Sequence, residues 1–256
     1  MTKYSHIQRA PLRRNRRRRE TRLEDIKKNL QTIDDMIREA AEGCGRTRED
    51  VLLCAVSKTR TAEEINVAID AGVTDIGENK VQEIMDKFDH VKPVKWHMIG
   101  HLQTNKVKYI IDKVSMIHSV DSFKLAAEID KRAGQKGITM DILLQVNAAQ
   151  EESKFGISLD ETEALINEIL EKCENIRIRG LMSVVPKADN PEDIKVYFSQ
   201  VKEQYDSFGK IEHPRLDFKY LSMGMSHDFQ VAIEAGSNLV RVGSAIFGER
   251  DYSKQN

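Results

Sequence analysis

Cysteine is scarce in this chain of 256 residues: Cys44, Cys54 and Cys173 are all there is. An odd, scattered set argues against a disulfide framework and against a zinc ribbon, and it suits a reducing, cytoplasmic setting. Long apolar runs are also missing. None approaches the roughly 18 residues that a membrane helix needs, and no apolar stretch near the start reads as a secretory signal. Neither a Gly-x-x-x-x-Gly-Lys loop nor a Gly-x-Gly-x-x-Gly turn after a strand occurs, so nucleotide binding has no support. The single tryptophan, Trp96, reads as structural.

Acidic residues are absent from the first 19 positions, which hold Lys3, Arg9, Arg13, Arg14 and Arg16 to Arg19. That stretch carries +8, so residues 20–256 carry −9 within a net charge of −1. A basic arm on an acidic body suits nucleic acid or anionic lipid, a targeting segment, or a disordered extension. With no interleaved aromatics and no nucleic-acid motif, the expectation is a disordered extension over 1–19 ahead of one domain over 20–256, with no nucleic-acid or membrane partner.

What is present is a rhythm. Leu23, Ile26, Leu30, Ile33, Met36, Ile37 and Ala40 recur at helical spacing, predicting an amphipathic helix from Arg22 to Glu42 that stops at Gly43-Cys44-Gly45. Eight short apolar runs follow, each predicted as a strand: Val51–Val56, Val73–Ile76, Trp96–Ile99, Ser115–Val120, Ile138–Val146, Ile176–Met182, Phe218–Leu221 and Leu239–Val242. Helical patterns separate them, and the first opens on the capping-box pattern Thr61-x-x-Glu64. Eight strand–helix alternations predict an α/β fold, a single-domain (β/α)8 barrel of TIM type with an extra N-terminal helix. Hydrophobic content of 40% is enough for its core.

In such a barrel the chemistry lies where strands end. The polar residues there are Ser57, Lys58, Glu78, Asn79, His101, His118 to Asp121, Asn147, Ser183, Ser222 and Arg241. Lys58 stands out, because lysine is rarely buried alone. At the barrel mouth desolvation would favour the neutral amine, which attacks carbonyls. The plain alternative is a rim lysine in a salt bridge. After the seventh strand comes Ser222-Met223-Gly224-Met225-Ser226, and after the eighth Gly243-Ser244. Glycines admit an anion close to backbone N–H groups, and barrels often bind phosphate between these two loops. Ordinary turns use the same residues. Arg241 could contact such a phosphate, or donate to a ring nitrogen and keep it unprotonated. His97 and His101 are four apart but run from strand into loop, so they read as barrel-interior or rim histidines rather than a metal pair. Cys54 reads as a core packer.

AVSKT around Lys58, GEN at Gly77–Asn79, WHMIGHLQTNK from Trp96, HSVD at His118–Asp121, GLM at Gly180–Met182, SMGMSHD from Ser222 and VRVGSAIFG from Val240 together resemble the pyridoxal phosphate homeostasis protein family. Those proteins are similar to the barrel domain of bacterial alanine racemase. The resemblance runs from about Ile26 to Arg250. It implies pyridoxal 5′-phosphate (PLP) held as an internal aldimine on Lys58. It also implies phosphate contacts from Ser222, Met223, Gly224, Met225, Ser226, Gly243 and Ser244, Arg241 facing the pyridine nitrogen, and Asn79 beside the ring. The arginine-rich stretch ahead of Glu20 is not part of the resemblance.

The function this implies is intracellular PLP homeostasis, with apo PLP-enzymes as recipients and a monomeric binding protein rather than an enzyme. The alternative is a PLP-dependent amino-acid racemase. Racemisation needs a base on each face of the substrate. Lys58 could serve one face; the expectation is that the sequence, ending at Asn256, carries no second domain to supply the other.

Overall fold

A computed structural model describes residues 9–151, 154–186 and 188–249, with side chains from Glu20 onward except Pro191. Eight strands carry the architecture: β1 (Leu52–Val56), β2 (Asp75–Glu78), β3 (Lys95–Met98), β4 (Met116–Val120), β5 (Met140–Val146), β6 (Ile176–Ser183), β7 (Leu216–Ser222) and β8 (Leu239–Val242). Each pairs in parallel with the next, and β8 returns to β1, so the sheet closes in chain order. The helices are α1 (Arg9–Gly43), α2 (Ala62–Asp70), α3 (Val81–Lys87), α4 (Val107–Ile110), α5 (Phe123–Lys136), α6 (Thr162–Lys172), α7 (Lys195–Phe208), α8 (Phe229–Glu234) and α9 (Ser244–Phe247).

Local chemistry explains the element ends. Thr61 Oγ1 accepts the Glu64 N–H at 3.3 Å and Glu64 Oε2 accepts the Thr61 N–H at 2.8 Å, a reciprocal box that starts α2. Ser122 Oγ accepts the Leu125 N–H at the start of α5, and Gly137 ends that helix at φ 66. Helix α1 buries Ile26, Leu30, Ile33, Ile37, Ala40 and Ala41 and lies along α2, α8 and α9. Asn29 Nδ2 donates to Ile246 O at 3.0 Å, tying α1 to the end of the barrel.

Several element ends differ from the sequence reading by one or two residues, and two differences are of a larger kind. Helix α1 begins at Arg9 rather than Arg22, inside the stretch expected to be disordered; arginine is a good helix former, so its backbone continues the turn. The rest of that expectation, residues 1–8, lies outside the described residues. Strand β2 runs Asp75–Glu78 instead of Val73–Ile76, because pairing with β3 begins at Asp75. Glu78 is thereby wholly buried inside a strand rather than in the loop after it.

The core lies between the strands and the helices. A separate small cluster of Met116, Leu143 and Met182 is also buried. Among the described residues no helix is long and apolar enough to cross a membrane.

Candidate functional site at the barrel mouth

A pocket of about 430 Å³ opens where β1, β2, β3, β6, β7 and β8 end. Lys58, Asn79, Met225, Ser226, Arg241, Gly243 and Ser244 line it, together with Val56, Arg60, Ile99, Val184 and His227. The sequence reading missed the last five. His227 sits inside the quoted SMGMSHD motif, directly after Ser226, and Arg60 directly follows AVSKT, which is the signal that could have marked them.

Lys58 is held from both sides. Ser57 donates its N–H to Gly77 O at 3.0 Å and its hydroxyl to Glu78 Oε1 at 2.8 Å. Lys87 Nζ binds Glu78 Oε1, Glu83 Oε2 and the Ser57 carbonyl, at 2.8, 2.7 and 3.1 Å. Burial pushes the Glu78 carboxyl up, and the Lys87 charge opposes that push. Thr59 follows at φ 65, an unusual conformation for a β-branched residue, with its N–H on Glu83 Oε2 at 2.6 Å. Arg60 is buried and donates to the carbonyls of Gly248 and Glu249, which close the other side of the mouth.

Ser222, Met223 and Gly224 do not line the pocket, although all three were expected to touch its ligand. Strand β7 carries through Ser222, and the Met223 N–H pairs with Leu239 O at 3.1 Å, so these residues are buried behind the lining. Gly224 turns the chain at φ 90, where a Cβ would lie 2.8 Å from Phe229 Cα. The turn brings Ser226 Oγ to the N–H groups of Gly243, at 3.2 Å, and Ala245, at 3.4 Å. Asp228 Oδ1 accepts the Met225 N–H at 2.5 Å and braces the loop from below.

Arg241 lies in β8 with 4% of its surface exposed. Nη1 donates to Ser222 O at 2.8 Å and Ser222 Oγ at 2.5 Å; Nη2 donates to Ser183 O at 2.8 Å. Burial lowers its pKa to about 10, against the opposing pull of Cys54 and Asp228, so it stays charged at neutral pH. His97 is inside the barrel, while His101 is at the rim, stacked on Phe155 with ring centroids 3.9 Å apart. Among the described residues no group of His, Cys, Asp or Glu could hold a metal ion.

Burial, then the neighbouring His97 and the Arg241 charge, hold the His118 imidazole well below its ordinary value. A lowered folded value means the unfolded chain binds this proton first. The resulting stability is present above about pH 6.5 and is lost as pH falls from there toward the folded value. The group contributes a slope of up to about 1.4 kcal/mol per pH unit. Glu78 and Asp228, both raised by burial, act in the opposite sense just above the ordinary carboxylate range. The difference between wild type and His118→Asn isolates the histidine. Urea unfolding from about pH 7 down to about pH 5.5 should show a flatter decline in the variant. Parallel declines would contradict a depressed His118.

The description "Alanine racemase, N-terminal domain" matches residues 22–251. The pyridoxal phosphate homeostasis protein of Aquifex aeolicus is 42% identical over 225 residues, which cover 87% of this chain and 97% of that one. The protein of the same name from Escherichia coli K12 is 39% identical, over 91% of this chain and 100% of that one. Among solved structures, PipY of Synechococcus elongatus PCC7942 with PLP bound is 30% identical with a TM-score of 0.74, over 87% of this chain and 100% of that one. The closed barrel, the lysine at its mouth and these likenesses agree, and the chain belongs to the pyridoxal phosphate homeostasis protein family, within the alanine racemase N-terminal domain fold.

Proposed function

We propose that this chain binds pyridoxal 5′-phosphate at the barrel mouth and serves intracellular PLP homeostasis. The observation that carries the reading is the convergence of Lys58, Asn79, Ser226, Arg241, Gly243 and Ser244 on one pocket of about 430 Å³. That size falls within the usual range for small-ligand sites. The residues fit the group. Asn79 Oδ1 is a buried acceptor with no hydrogen-bond partner, on the pocket wall. Gly243 on the pocket wall lies against Val56, where a Cβ would come within 3.1 Å of the Val56 Cβ.

PLP supplies an aldehyde that a neutral amine can attack, and Lys58 is the lysine on the pocket wall. Ser226, Ser244 and the backbone of Met225 and Gly243 would hold its phosphate. Arg241 has only donors, and facing the ring nitrogen it would keep that atom an acceptor. An unprotonated ring is a weak electron sink, so the arrangement favours holding the cofactor over amino-acid chemistry. The rest of the reading is a cytoplasmic monomer that passes the cofactor to apo PLP-enzymes, with no nucleic-acid or membrane partner.

The test is borohydride reduction of protein incubated with PLP, followed by peptide mass mapping. The expected result is one added mass, on the peptide that carries Lys58. No added mass, or a steady amino-acid turnover of about one per second or more, would overturn the proposal. Ser226→Ala should weaken retention on the order of tenfold, the loss of one hydrogen bond to a charged group. Equilibrium dialysis reads that change, and unchanged affinity would move the phosphate elsewhere.

A further inference from the structure

Five buried groups form one chain across the barrel interior. Asp75 Oδ1 lies 2.8 Å from His97 Nε2, and His97 Nδ1 lies 2.8 Å from His118 Nε2. His118 Nδ1 lies 3.3 Å from Ser222 Oγ, which accepts from Arg241 Nη1 at 2.5 Å. All five residues are at most 4% exposed. Of the five, Arg241 alone lines the pocket.

With both imidazoles neutral, the protons in this chain have one consistent arrangement. Arg241 can only donate, so Ser222 Oγ accepts from it. The serine hydrogen then goes to His118 Nδ1, which leaves the His118 proton on Nε2. That proton goes to His97 Nδ1, and the His97 proton, also on Nε2, goes to Asp75. Reasoning from the other end gives the same answer, because an ionised Asp75 can only accept. Burial alone would raise the Asp75 carboxyl, but hydrogen bonds from His97 and Thr74 outweigh it and hold it below its usual value. Two neutral imidazoles thus connect a buried anion to a buried cation. An added proton on either ring would leave the Ser222 hydroxyl hydrogen without its acceptor in a site closed to water.

We propose that Asp75, His97 and His118 are positioning residues for Arg241. They fix Ser222 Oγ as its acceptor, orient the guanidinium at the pocket wall and balance its charge from the far end of the chain. The effect on bound PLP rests on the functional reading above; the chain itself does not. Other titratable neighbours are Cys54 on β1 and Asp228 before α8, which act on Arg241, Lys95 on β3, which acts on Asp75, and Glu78 on β2, which acts on Cys54.

Two measurements separate the claims. In cofactor-free protein, imidazole ¹⁵N spectra at neutral pH should show His97 and His118 both neutral with the proton on Nε2. Ser222→Ala should shift the His118 Nδ1 resonance. A charged ring, an Nδ1–H tautomer, or no response to Ser222→Ala would overturn the chain, whether or not PLP binds. In PLP-loaded protein, Asp75→Asn keeps the shape and removes the charge at the far end of the chain, leaving Asp228 as the carboxylate that acts on Arg241. The pH midpoint of the bound chromophore should fall, on the order of half a unit. Met116→Leu, a buried substitution outside the chain, should leave it in place. An unmoved midpoint in Asp75→Asn, or equal shifts in both variants, would overturn the positioning role. If Asp75→Asn fails to fold, Ser222→Ala carries the same comparison. If wild type retains no PLP, the functional reading fails and the tautomers still judge the chain.

Discussion

Lys58→Ala is expected to remove all covalent retention of PLP while leaving the barrel folded. The residue lies just past β1, is half-buried and lines the pocket, and no strand pairing passes through it. Lys87 is the lysine to be distinguished from it, since its Nζ lies 3.1 Å from the Ser57 carbonyl. Its Nζ is engaged by both Glu78 and Glu83, and it is not among the residues that line the pocket. After borohydride treatment the Lys58→Ala protein should carry no added mass, and its circular dichroism should match wild type. The pocket should still take up PLP reversibly, through the donors at Ser226 and Gly243. Transfer of the added mass to the Lys87 peptide, or its persistence in the variant, would sink the assignment.

Gly180→Ala is expected to destabilise the fold by about 3 kcal/mol or more, the range of severe backbone and overpacking defects. Gly180 sits in β6 at φ 140, a conformation L residues rarely adopt, and a Cβ there would run into the Tyr220 carbonyl. The register between β6 and β7 shifts just before the Gly180–Tyr220 pair. That shift sets Met182 opposite Ser222, next to Ser183, so the Ser183 and Ser222 carbonyls both reach Arg241. The defect should therefore appear twice, as a lower urea midpoint and as weaker PLP retention in the fraction that folds. Stability within about 1 kcal/mol of wild type would show that the two strands can part without consequence.

Much of this architecture is legible in the residue order, because local chemistry dictates it. The Thr61-x-x-Glu64 box, the apolar run of β8 and the paired loops after β7 and β8 depend on neighbours in sequence. Strand β2 was misplaced because a run of apolar residues was the criterion, whereas Gly77 and Glu78 enter the sheet through pairing with β3 and the Lys87 ion pair. A strand-end position and the Gly-Ser cluster set Ser222 among the expected phosphate contacts, and the pocket lining does not include it. Its hydroxyl is claimed by Arg241 and His118, partners that reach it only when the barrel closes. The interior chain was out of reach for this reason: its four links span 22, 21, 104 and 19 residues of sequence. His97 could be placed inside a barrel or on its rim and His118 at a strand end, but the two could not be joined.

Thr59 has a consequence for evolution and engineering alike. A threonine held at φ 65 by a carboxylate on a neighbouring helix is a loaded catch, and Glu83 on α3 is its trigger. Trimming that glutamate, which is not among the residues lining the pocket, is expected to relax the backbone beside Lys58. Variation on the α3 side of the barrel can therefore change the shape of the pocket wall without altering any group that lines it.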